Sequence, residues 1–143
     1  MSAFQQVMKR AFLAGMGAAA ILVAGYAGTS SAADIILSGS QEVPPVTTAA
    51  SGKGTITVGD DKMVSGSVTT MGVEGTAAHI HQAARDQNGP VIIPLTKSGD
   101  SYSVPAGAKL TDAQYAAYKA GNLYVNVHSA ANKGGEVRAQ IMP

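Results

Sequence analysis

The residues best placed to do chemistry are the three histidines, the full complement of the chain. His79 and His81 flank Ile80 in the stretch Thr76-Ala77-Ala78-His79-Ile80-His81, and His128 ends the run Leu123-Tyr124-Val125-Asn126-Val127-His128. A β-strand turns successive side chains to opposite faces. As a strand, the first stretch puts His79 and His81 on one face and Ile80 on the other. The second puts Leu123, Val125 and Val127 on one face and Tyr124, Asn126 and His128 on the other. If both apolar faces look into one core, all three imidazoles look away from it together. Neutral imidazole suits copper and zinc, Cu(II) leads the affinity order of divalent ions, and three such ligands leave a position open for water or substrate. The spacing therefore points to a mononuclear metal site of His79, His81 and His128, copper ahead of zinc. Met63, Met71 and Met142 are soft side chains that suit Cu(I) but also serve as ordinary packing. Met71 stands out because its loop leads into the first histidine strand. The competing reading is a hydrogen-bonded cluster of the histidines with Asn126 and Glu136.

The final segment supplies further candidates. In Glu136–Ile141, Val137, Ala139 and Ile141 alternate with Glu136, Arg138 and Gln140. Paired as a hairpin with Leu123–His128, it sets Glu136 near His128 and Arg138 near Asn126. Asn126, Glu136 and Arg138 then stand where side chains that orient metal ligands are found. A plainer expectation for Glu136 and Arg138 is a solvent-facing ion pair, worth at most about 1 kcal/mol.

These strands need a frame. Asp34–Ser38, Gly52–Val58, Met63–Thr70, Ala77–Gln82, Val91–Leu95 and Tyr102–Val104 also read as strands, separated by turns such as Gly59-Asp60-Asp61-Lys62, Asn88-Gly89-Pro90 and Lys97-Ser98-Gly99-Asp100. Pro44 and Pro45 keep Gln41–Val46 out of a central strand, and Pro94 marks an edge or a bulge. Thr111 and Gln114 form a capping-box pair, Gly121 fits the position after a helix, and the alanines between favour a short helix near 112–120, with Leu110, Tyr115 and Tyr118 packing it down. The whole predicts an all-β, antiparallel Greek-key β-sandwich with one short helix.

The start of the chain reads differently. Lys9 and Arg10 precede an apolar run from Ala11 to Ala27, interrupted by Gly15, Gly17 and Gly25 and followed by Thr29-Ser30-Ser31-Ala32-Ala33. That is the order of a cleaved secretory signal, residues 1–33, and not of a membrane span. Removing 33 of the 143 residues leaves 110, one domain over 34–143. Of the 10 Lys and Arg, two leave with the signal, so eight face nine Asp and Glu, a net charge of −1. This offers no basic face for nucleic acid and no polybasic patch for a membrane. The chain has no cysteine, so an exported domain of this sequence is held by its core or a ligand and not by disulfides.

Taken together, Leu37-Ser38-Gly39, Glu42-Val43-Pro44-Pro45-Val46, Ala78-His79-Ile80-His81, Asn88-Gly89-Pro90-Val91, Leu123–His128 and Gly135–Ile141 resemble the CHRD domain, named from chordin, over nearly all of residues 34–143. The resemblance implies an exported domain: bacterial members are typically single domains, and animal members are modules of larger extracellular proteins. It implies no particular activity. The histidine arrangement is also similar to the copper half of Cu,Zn superoxide dismutase, a Greek-key sandwich; His79, His81 and His128 match in type and order, and Arg138 is a loose counterpart of that family's anion-guiding arginine. The chain lacks the bridging fourth histidine, the zinc ligands and the disulfide, so a dinuclear site is not implied.

Two functions compete. One is a periplasmic or extracellular metal protein, either handling copper or carrying out superoxide-type redox chemistry. The other is an interaction module with structural histidines, meeting a protein or cell-surface partner through the loops Ala83–Gly89 and Ser129–Gly134. Hydrolase chemistry finds no Cys nucleophile and no Gly-x-Ser-x-Gly elbow, and there is no phosphate-binding loop. The leader reading predicts that protein recovered from the exported fraction begins at Ala33 or Asp34. Intact-mass measurement checks this, and a chain still carrying Met1 would refute it.

Overall fold

A computed structural model describes residues 34–143 and Ala32. The signal expected over 1–33 falls, apart from Ala32, outside the described residues. The elements are β1 (Asp34–Ser38), β2 (Ser51–Val58), β3 (Val64–Met71), β4 (Gly75–Gln82), β5 (Val91–Pro94), β6 (Thr96–Ser98), β7 (Ser101–Ser103), α1 (Asp112–Lys119), β8 (Leu123–Ser129) and β9 (Val137–Ile141), with a short 3-10 turn at Gly39–Gln41. The expected all-β antiparallel class is observed. Its strands form a single nine-stranded sheet in the order β5-β4-β8-β9-β1-β2-β3-β7-β6. One register pair, Ser38↔Arg138, joins β1 to β9 and so links the two halves. The outermost strands, β5 and β6, are separated in sequence by Leu95 alone. A sheet whose two edges are nearly consecutive in the chain must fold back on itself.

The apolar alternation drives that folding. Leu37 of β1, Val68 of β3 and Tyr102 of β7 belong to the same buried cluster as Ile80 of β4, Val125 and Val127 of β8 and Val137 of β9. Both halves of the sheet thus face one core. The helix starts and stops for local reasons. Gln114 N–H donates to Thr111 Oγ1 at 3.1 Å, and Thr111 N–H donates to Gln114 Oε1 at 2.9 Å. At the other end Gly121, at φ +77°, donates to the Tyr118 carbonyl while Asn122 donates to that of Ala117. Leu110 is buried, and Tyr115 and Tyr118 pack against the core, as expected.

One expected turn is shorter than its residues suggested. Lys97 and Ser98 belong to β6, which pairs with β7 through Thr96↔Ser103, Lys97↔Tyr102 and Ser98↔Ser101. Only Gly99 and Asp100 turn, with Gly99 at φ +61°. All of β6 is exposed, so no apolar alternation marked it.

The outer side of the sheet is not uniformly wet. Every residue of β9, and all of β8 but His128, is buried. Polar side chains on the far side from the core therefore lie under the loops that follow β4 and β8. Burial separates adjacent residues sharply in β1, where Leu37 is 0% exposed and Ile36 is 70% exposed. Leu37→Ala should destabilise the fold by about 2–5 kcal/mol, whereas Ile36→Ala should stay within about 0.5 kcal/mol of the parent. Chemical denaturation of the two variants measures both.

Candidate metal centre

Antiparallel pairing of β4 with β8 brings the histidines together. The register sets Ala77 opposite His128, His79 opposite Asn126 and His81 opposite Tyr124. Ala78 and Ile80 turn into the core, so His79 and His81 take the other face, with Asn126 and His128 of β8. One ring nitrogen from each of His79, His81 and His128 lies within 4.8 Å of the others. His81 is buried and the other two are half-buried.

Backbone carbonyls decide the tautomers. His81 Nδ1 lies 2.9 Å from the Gly89 carbonyl oxygen, and His128 Nδ1 lies 2.8 Å from that of Lys133. A carbonyl only accepts, so each of these nitrogens carries the proton and each Nε2 keeps its lone pair. Outward Nδ1–H bonds of this kind are what hold metal-binding imidazoles in place. His79 Nδ1 is 3.0 Å from His128 Nε2, and since the latter is an acceptor, His79 is the donor in that contact. His81 Nε2 is buried and has no hydrogen-bond partner.

The three ring nitrogens lie close enough together to hold a metal ion. Nitrogens bound at about 2.0–2.1 Å stand roughly 3–4 Å apart around one ion. His79 Nδ1 and His128 Nε2 already have that separation, His79 ligating there once its proton moves to Nε2, and the outer limit of 4.8 Å needs only small side-chain rotations to close. Burial lowers the pKa of His79 and of His81, and neighbouring imidazoles lower each further, while the Gly89 bond works the other way on His81. Both rings are thereby held neutral, the form that ligates.

Two buried polar side chains tie down the loops that supply the carbonyls. The Arg138 guanidinium donates to the carbonyl oxygens of Gln87 at 2.8 Å and Ala84 at 3.2 Å, and to Gln140 Oε1 at 3.3 Å. It lies 3.5 Å from the centroid of the Tyr124 ring, on which His81 also stacks at 4.7 Å. Arg138 thus fastens the segment whose Gly89 carbonyl orients His81. Glu136 accepts from Asn132 Nδ2 at 2.9 Å, within the loop whose Lys133 carbonyl orients His128.

The expected solvent-facing pair of Glu136 and Arg138 does not form. Both side chains are buried, and each is bonded elsewhere. Arg138, 1% exposed, does not present its charge to solvent as an anion-guiding arginine would. The hairpin register itself is as expected, with Arg138 opposite Asn126. Met71 ends β3 opposite Ser51, in the half of the sheet without histidines, and is exposed. Met63 and Met142 are exposed as well. The loop 83–89, expected as a contact surface, is fixed from beneath by Arg138 and by Gln140, which donates to the Ala83 carbonyl at 2.9 Å.

Glu42 is the residue that sequence reasoning missed. Its side chain is 4% exposed and lies beside Asn126 and Arg138. Burial raises its pKa to about 7, against the opposing influence of Asn126 and Arg138. Gly135, at φ +127°, makes room for it: a Cβ there would stand 2.4 Å from both Glu42 Oε1 and Asn126 Nδ2. Nothing in the order of residues around Glu42 signals this, because its neighbours come from β8 and β9.

Among known proteins, the family model for the CHRD domain matches residues 33–141. No curated protein and no solved structure matches the chain.

The Glu42 shift has a definite sign. The carboxyl binds its proton more tightly folded than unfolded, so its contribution to stability is complete below about pH 4.5 and is lost as pH rises through about 7. Glu42→Gln removes this dependence. Thermal unfolding from pH 5 to pH 8 should show the variant gaining on the parent as pH rises, and a constant difference would refute the assignment.

Proposed function

We propose that this chain, which belongs to the CHRD-domain family, is an exported protein that binds a single metal ion, copper ahead of zinc, through His79, His81 and His128. One observation carries the reading: His81 Nε2 is a buried, unpartnered lone pair beside two further imidazole nitrogens within 4.8 Å. A buried acceptor without a partner is costly, and an ion at this point supplies one. The orienting bonds from His81 and His128 to backbone carbonyls agree with it. Three neutral imidazoles leave coordination positions for water or a small ligand, and the half-burial of His79 and His128 leaves that side reachable. Copper held this way either undergoes one-electron redox chemistry with a small oxidant such as superoxide or is stored for transfer.

Export rests on the basic start, the apolar run and the small residues before Asp34. No helix among the described residues is long and apolar enough to cross a membrane. A second reading, an interaction module with structural histidines, draws on the His79–His128 hydrogen bond, which needs no ion.

Calorimetric titration of the chelator-stripped protein with Cu(II) and Zn(II) separates the two. The metal reading expects one-to-one binding that is abolished in His79→Ala, His81→Ala and His128→Ala. Equal binding by the parent and the triple variant would establish the histidines as structural.

A further inference from the structure

We propose that the side-chain oxygen of Asn126 is a fourth ligand to the ion, completing the three imidazoles from the floor of the site. This rests on the three-histidine reading above and extends it to the coordination sphere. Placement is the first argument. Asn126 stands directly opposite His79, while His81 is opposite Tyr124, the next same-face position on β8. His128 lies two residues further along β8. Opposite and diagonal same-face residues are the close neighbours in an antiparallel pair. Asn126 is therefore the one β8 side chain adjacent to all three histidines, and it is 2% exposed.

Its orientation is the second argument. Asn126 Nδ2 donates to the Gly134 carbonyl at 3.3 Å. The same nitrogen and Glu42 Oε1 border the small space above Gly135, where a Cβ would stand 2.4 Å from each. A carbonyl only accepts, so the amide group presents its NH2 to Gly134, and its carbonyl oxygen turns the other way. That oxygen, Oδ1, is buried and unpartnered.

His81 Nε2 is buried and unpartnered too. In the neutral ring the only proton is on Nδ1, committed to Gly89. The carboxamide oxygen and the imidazole nitrogen, on diagonal same-face positions, are then both buried lone pairs with no hydrogen for either. A cation is what both accept at once. Amide oxygen is a known weak axial donor to copper alongside histidine nitrogen. An oxygen in place of a thioether favours Cu(II) over Cu(I), since soft ligands select the reduced ion.

The test is electron paramagnetic resonance of Cu(II) bound to the purified protein, to Asn126→Leu and to Asn126→Asp, with affinities measured beside the spectra. Loss of the donor in Asn126→Leu should weaken Cu(II) binding by about 10- to 100-fold and change the copper hyperfine splitting. Asn126→Asp keeps an oxygen in position and should retain binding with a spectrum shifted by the added charge. Should Asn126→Leu fail to fold, the aspartate spectrum alone decides. Spectra of the variants that superimpose on the parent, with unchanged affinity, overturn the proposal. If the histidine variants abolish binding while those spectra stay unchanged, only the fourth ligand is lost; if the parent binds no Cu(II), both readings fall together.

Discussion

A polar face buried against protein must find partners for its groups or bear the cost of leaving them unmet. That constraint governs the outer side of β4, β8 and β9. There His81, Asn126, Arg138 and Gln140 are all buried. Most of their hydrogen bonds run to backbone carbonyls of the loops above: Gly89 for His81, Gln87 and Ala84 for Arg138, Ala83 for Gln140, Gly134 for Asn126. The loops are shaped by what the strands need. Removing Arg138 would leave buried carbonyls unpaired and release the segment that holds the His81 ring.

The few groups left over are informative because the rest of the face is so fully satisfied. His81 Nε2, Asn126 Oδ1, Glu42 Oε1 and Glu136 Oε2 are buried without partners. The first two border the histidine cluster, and both are acceptors in the tautomer and amide orientation assigned. A surplus of acceptors is the electrostatic description of a cation site. Glu42 answers its own part of the surplus by holding a proton up to about pH 7.

Packing and chemistry divide between the two faces of the same strands. Val125 and Val127 fill the core while Asn126 and His128 line the site, and Ile80 does the same between His79 and His81. A change of register by one residue would exchange the two roles. The core therefore specifies the site: the apolar alternation that drives folding also fixes which imidazoles converge.

Much of this was written in the order of residues. Period-two alternation around Ile80 and across Leu123–His128 determined that the histidines share a face, because strand geometry leaves no other arrangement once the apolar side is buried. The capping pair Thr111 and Gln114, with Gly121, determined the helix, since each acts within one turn of chain. Tertiary structure decided what depends on residues distant in sequence. Glu42 meets Asn126 and Arg138 only when β1 is laid beside β9, and Arg138 is buried only because the segment after β4 folds over it. The strand β6 escaped notice because its exposed residues carry no alternation. Local pattern encodes which face a side chain takes; what covers that face is a property of the loops, and the one after β4 is held by hydrogen bonds from distant parts of the chain, such as Arg138 to Gln87 with a separation of 51.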